Sequence, residues 1–164
     1  MQSLRRVFES LGFSVVETFI ASGNVIFETM TQKTKTLESK IEKALHEALG
    51  YEVRTFIRGE AELTKIANYH PFRQSKIDTS WHLNIIFLAH DLTPMLKRNV
   101  EALRTNTDAF EVRGREIYWL RRRKQNAAIF STVPLEKILG RAFTVRGADT
   151  IKRVASKWCS AEIC

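Results

Sequence analysis

Four consecutive cations, Arg121-Arg122-Arg123-Lys124, form the one concentrated charge block of the chain, with Arg113 and Arg115 just upstream. Guanidinium groups hold phosphate oxygens through paired N–H donors, so such a block suits anions, from a small charged ligand to nucleic acid. The competing reading is a solvated loop after a strand, because charge alone specifies no ligand. Arg146, at the end of a predicted strand, either clamps a carboxylate or phosphate or pairs with an acid such as Glu116. Ser22 and Asn24 flank Gly23. They either face a ligand or serve the tight turn whose positive φ Ser-Gly-Asn favours. Tyr118 and Trp119 are adjacent in a strand and so face opposite sides, which leaves one as a stacking platform and the other to the core. The candidates are therefore Arg115, Arg121, Arg122, Arg123, Lys124 and Arg146 for anion binding, and Ser22, Asn24 and Tyr118 for ligand contact.

No catalytic set stands beside them. His46, His70, His82 and His90 lack metal-like spacing with one another or with Cys, Asp and Glu. None lies in a nucleophile context, and neither GxGxxG nor GxxxxGK[ST] occurs, so no metal, cofactor or catalytic residue is predicted. The acids Glu60 and Glu62 read as a solvated helix face. Formal charge is +8, from 26 Lys and Arg against 18 Asp and Glu, which favours polyanionic partners. The two cysteines, Cys159 and Cys164, make no disulfide framework. The first residues lack an apolar signal core and no run of about 18 apolar residues occurs, so the expectation is a cytoplasmic protein without a membrane partner.

The elements that must position these groups follow from hydrophobic period. Leu4, Val7, Phe8 and Leu11 recur at helical spacing before Gly12. Residues 15–20 and 25–28 then read as strands of a hairpin about Ser22-Gly23-Asn24, 36–49 as a helix stopped by Gly50, and 52–58 as a strand alternating through Val53, Thr55 and Ile57. Residues 60–69 are a short helix closed by Pro71. Residues 81–89 form an apolar strand and 92–103 a helix, with Thr93 as N-cap and Pro94 at N1. A hairpin of 109–112 and 116–120 turns about Gly114. A helix over 134–139, a strand over 142–145 and a helix over 148–158 complete the chain. The second half thus has ferredoxin-like βαββαβ order, and the first half, αββαβ, is that order without its first strand.

The predicted class is α+β: two ferredoxin-like halves with antiparallel sheets, the first incomplete. Residues 1–58 are the N-terminal half, 59–79 a connecting helix and loop, and 80–164 the C-terminal half with an extra terminal helix. The absent strand would lie between 24–28 and 52–58, leaving edges open to a second copy of the chain.

Several motifs spread over nearly the whole chain carry a family resemblance: Ser22-Gly23-Asn24-Val25-Ile26-Phe27, Gly114-Arg115-Glu116-Ile117-Tyr118, Leu135-Glu136-Lys137, Leu139-Gly140, Thr144, Arg146 and Thr150. In them the sequence resembles the bacterial domain-of-unknown-function family numbered 1697. Members open with an apolar strand and an Arg-Gly-Ile-Asn-(Val/Leu)-Gly-Gly loop before the helix that begins here near Met1, so the resemblance implies a chain shortened at its N-terminus. Where members show Ser-Lys-Leu and Thr-Arg-Asn-Trp, this chain has Ala128-Ile129-Phe130 and Val145-Arg146-Gly147-Ala148. The resemblance therefore implies a fold and no activity. Three functions stay open: a non-enzymatic binding module for an anionic ligand or nucleic acid, a small-molecule enzyme with a cleft between the halves, and a self-associating protein that dimerises through its incomplete sheet.

Overall fold

The hydrophobic pattern resolves into six helices and six strands among the described residues. The structure is a computed structural model and describes residues 2–19, 23–31, 33–73, 80–122, 132–140 and 142–159. It divides into two compact units, Met1–Arg58 and Gly59–Cys164. The class is α+β, with one two-stranded and one four-stranded antiparallel sheet.

In the first unit, helix α1 (Gln2–Ser10) is followed by strands β1 (Ser14–Phe19) and β2 (Asn24–Glu28), which pair antiparallel. Glu17 lies opposite Ile26, but Ser14 lies opposite Glu28, so the register slips between them. Val15 takes up the slip at φ +48 and turns its side chain outward, a bulge that bends the strand. Helix α2 (Thr34–Leu49) presents Leu37, Ile41 and Leu45 to Phe8, Phe13 and Val16, with Val25 and Phe27 packed at the margin. The ring of Phe27 stacks on Phe13 at 4.6 Å and meets Phe8 edge-on at 5.3 Å. Gly50 ends α2 at φ +79, a left-handed cap whose N–H donates to the His46 carbonyl at 2.8 Å.

The strand expected at 52–58 is not formed. Its alternation is physically real, since Val53 and Ile57 pack against the core. Its ladder is replaced, however, by side chains of α2: Glu42 accepts the Thr55 N–H at 2.9 Å and Glu38 accepts the Ile57 N–H at 2.8 Å. Carboxylates one helical turn apart thus meet N–H groups two residues apart, and the backbone donors are satisfied without a neighbouring strand.

The second unit opens with helix α3 (Glu60–Asn68) and continues through β3 (Trp81–Leu88), α4 (Pro94–Glu101), β4 (Asp108–Arg113), β5 (Glu116–Arg122), α5 (Val133–Leu139), β6 (Phe143–Gly147) and α6 (Ala148–Trp158). The Thr93 hydroxyl accepts the Leu96 N–H at 3.3 Å, and Pro94 opens α4, as the N-cap pattern requires. The sheet order is β4-β5-β3-β6. Ile86, Leu88, Val112, Ile117 and Trp119 bury one face with Val100 of α4 and Leu135 of α5. The opposite parity, Ile85, Phe87, Tyr118 and Leu120, is also buried, on the side where α6 contacts β3 and β6 and α3 packs on α6. Helices therefore cover both faces, and successive residues of β3 and β5 are buried alike. No described helix is long and apolar enough to cross a membrane.

Candidate anion-binding site

Strand register decides which candidates meet. Antiparallel pairing of β3 with β5 sets Trp81 opposite Arg122 and His82 opposite Arg121. Alternation sends Trp81 and Arg122 to one side and His82, Arg121 and Trp119 to the other. The Arg122 guanidinium lies 5.9 Å from the Trp81 ring centre and that of Arg121 lies 5.8 Å from Trp119, within cation–π range. Arg122 and His82 are exposed, while Trp81 and Arg121 are half-buried. β5 runs through Arg122, so the first two cations of the block extend a strand rather than begin a loop. Arg123 and Lys124 lie outside the described residues.

Asp108 organises one side of this strand end. Its Oδ1 accepts the Trp119 indole N–H at 2.8 Å and lies 3.7 Å from Arg121 Nε, while Oδ2 accepts the Thr107 hydroxyl at 2.8 Å. The buried indole thereby keeps a partner for its only donor. Asp108 also offsets part of the Arg121 charge, so the exposed cationic surplus belongs to Arg122.

The remaining candidates do not converge here. Arg115 sits in the β4–β5 turn, at the far end of β5, a separation of roughly 20 Å from Arg121 at strand rise. Its guanidinium is 2.5 Å from Glu62 Oε1. Glu62 Oε2 also accepts the Gly59 N–H at 3.3 Å, so this acid, expected to be solvated, ties the start of α3 to the hairpin turn. Arg146 lies on edge strand β6 opposite Ile85 and donates to Thr144 Oγ1 at 2.7 Å and to the Val145 carbonyl at 2.8 Å. Burial pulls its pKa below the ordinary arginine value.

Tyr118 is 2% exposed and meets Tyr69 edge-on at 5.0 Å, so the core takes it as well as Trp119, and neither is a stacking platform. Burial raises the Tyr118 pKa first, with the nearby Glu116 charge adding to it. Tyr69 donates its hydroxyl to Glu111, which likewise raises its pKa, while Arg113 lies 4.0 Å over its ring. Asn24 donates its amide to the Phe19 carbonyl at 3.2 Å and Gly23 adopts φ +76, so Asn24 closes the hairpin. Ser22 lies outside the described residues.

Trp81, His82 and Asp108 were not singled out as site residues by the sequence. Their link to the basic block is a cross-strand register, which no local motif carries. Among the described residues, no three His, Cys, Asp or Glu side chains gather as a metal-holding group.

The fold and this strand end define an α+β protein with antiparallel sheets and a cationic, tryptophan-bearing end to the two central strands of the larger sheet. Residues 1–118 match the family described as "Protein of unknown function (DUF1697)", and the chain belongs to that family. The conserved bacterial protein SP0830 from Streptococcus pneumoniae is similar in structure, with a TM-score of 0.69 and 20% identity over 95% of this chain and 87% of its own. At that identity the likeness concerns the fold alone. No curated protein matches the chain.

Proposed function

We propose that the chain is a non-enzymatic binding protein for an anionic ligand, with nucleic acid as its partner class. The carrying observation is the β3–β5 strand end, where exposed Arg122 lies beside Trp81 and Arg121 lies opposite His82. Guanidinium beside a half-exposed indole offers phosphate oxygens a donor and a base a π-face. The burial of both sheet faces argues for binding at strand ends rather than across an open sheet. The order β4-β5-β3-β6, with its intervening helices, supports reading the second unit as ferredoxin-like.

Binding of a single-stranded oligonucleotide, followed by fluorescence anisotropy across a salt series, tests the reading. Replacing Arg121 and Arg122 by Gln should weaken binding and flatten the log-salt slope by roughly 0.7 for each phosphate no longer neutralised. An unchanged slope, or no binding by the parent protein at about 50 mM salt, where screening is weak, refutes it.

A further inference from the structure

Of the aromatic side chains on β3 and β5, Phe87, Tyr118 and Trp119 are buried and Trp81 alone is half-buried. Trp119 also directs its indole N–H to Asp108 at 2.8 Å. The strand end therefore offers one π-face rather than a row of them. Arg122 borders that ring at 5.9 Å, against 4.0 Å for Arg113 over Tyr69, so its guanidinium stands beside the indole without closing over it. Arg121 leaves the next position of β5 on the opposite side of the sheet, where Asp108 Oδ1 lies 3.7 Å from its Nε. One aromatic surface and two cations on opposite sides thus meet at a single strand end.

We infer that the ligand of this strand end is a single-stranded nucleic acid held through one unpaired base on Trp81, an inference that rests on the proposed anion-binding reading and narrows it. A base inside a duplex has both faces stacked on its neighbours. Laying it on Trp81 requires extruding it, which costs about as much as one stacking contact returns. A duplex is also stiff over about 150 base pairs, so it lies along one side of the strand end. A single strand bends round that end and gives phosphates to Arg122 and Arg121 in turn. Asp108 offsets part of the Arg121 charge, so the base on Trp81 and the phosphate on Arg122 are the anchor. A mononucleotide carries the same two groups but reaches only that side. Stacking tolerates any base, so sequence preference is slight.

Fluorescence anisotropy on the full chain at about 50 mM salt compares an oligonucleotide, the same strand with every base removed, and the duplex. The abasic strand keeps the phosphates, so it isolates the base contact. The parent should bind the ordinary strand about tenfold more tightly than the abasic one, the value of one stacked base. Trp81→Leu should abolish that preference while leaving abasic and duplex binding unchanged. Trp81→Phe, which keeps a ring, should retain most of it. Equal affinity for ordinary and abasic strands, a preference that survives Trp81→Leu or is lost as fully in Trp81→Phe, duplex binding that falls with Trp81→Leu as far as strand binding does, or a nucleoside monophosphate that binds as tightly as the strand would each overturn the inference. If the salt slope still flattens on replacing Arg121 and Arg122 by Gln, such a result leaves anion binding standing and removes only the base contact. Absence of binding to every probe removes both.

Discussion

Replacing Glu38 tests whether side chains have taken over the role of a strand. Glu38 is 8% exposed and its Oε1 accepts the Ile57 N–H at 2.8 Å. A hydrogen bond to a charged group contributes about 1.5–3 kcal/mol, and an orphaned buried N–H costs about 1–3 kcal/mol. These describe one loss rather than two, so Glu38→Ala should destabilise the first unit by about 2 kcal/mol. Glu38→Gln keeps a carbonyl acceptor of the same reach and should cost about half as much. Glu42 holds the Thr55 N–H in a more open setting, with its side chain 26% exposed, so water can replace it and Glu42→Ala should cost less than Glu38→Ala. Amide exchange followed by NMR reads each site separately. At about 1.4 kcal/mol per tenfold, a 2 kcal/mol loss makes the Ile57 amide exchange roughly 30 times faster. An unprotected Ile57 amide in the parent, or a change below about 0.5 kcal/mol in Glu38→Ala, would refute the bridging role.

Two further expectations concern the second unit. Phe87 is buried on the central strand β3, so Phe87→Ala should cost about 3–5 kcal/mol in denaturant unfolding, and a loss under about 1 kcal/mol would place that strand at the periphery. Burial raises the folded-state pKa of Tyr118 above the ordinary 10.0 and the hydrogen bond to Glu111 raises that of Tyr69, so their neutral forms stabilise the fold fully below that value. That contribution is lost as pH rises above about 10, and Tyr118→Phe should blunt the alkaline loss of stability in thermal unfolding. Phenolate absorbance from both residues at their ordinary pKa would contradict the burial.

Where one element carries its own signal, the sequence was legible. Leu37, Ile41 and Leu45 mark α2, Gly50 stops it, and Thr93-Pro94 starts α4 by local hydrogen bonding. Gly114, at φ +59, turns the β4–β5 hairpin where the sequence puts it. Residues 52–58 show the limit of such signals. Their alternation correctly places Val53 and Ile57 inward, but a strand also needs a partner, and the donors of Thr55 and Ile57 had gone to α2. The site failed to read for the same reason. Arginines are visible as charge, yet sheet register and the Glu62 contact decide that Arg121 and Arg122 share an end while Arg115 is taken elsewhere. Tyr118 and Trp119 alternate as expected, but alternation exposes one residue only when one face is open, and here helices cover both.

The placement of β3 in the sheet has a consequence for the chain as it is made. β3 is flanked by β5 and β6, which begin at Glu116 and Phe143, so its neighbours on both sides are synthesised after it. At about 5–20 residues per second, the ribosome leaves this apolar strand without its second neighbour for several seconds. The β4–β5 hairpin is local and forms first, which gives Ile86 and its neighbours one partner early. Slowing translation between Arg122 and Phe143 would therefore lengthen the life of a half-paired sheet whose β3 edge is still open, the interval in which nascent chains of this protein are most exposed to aggregation.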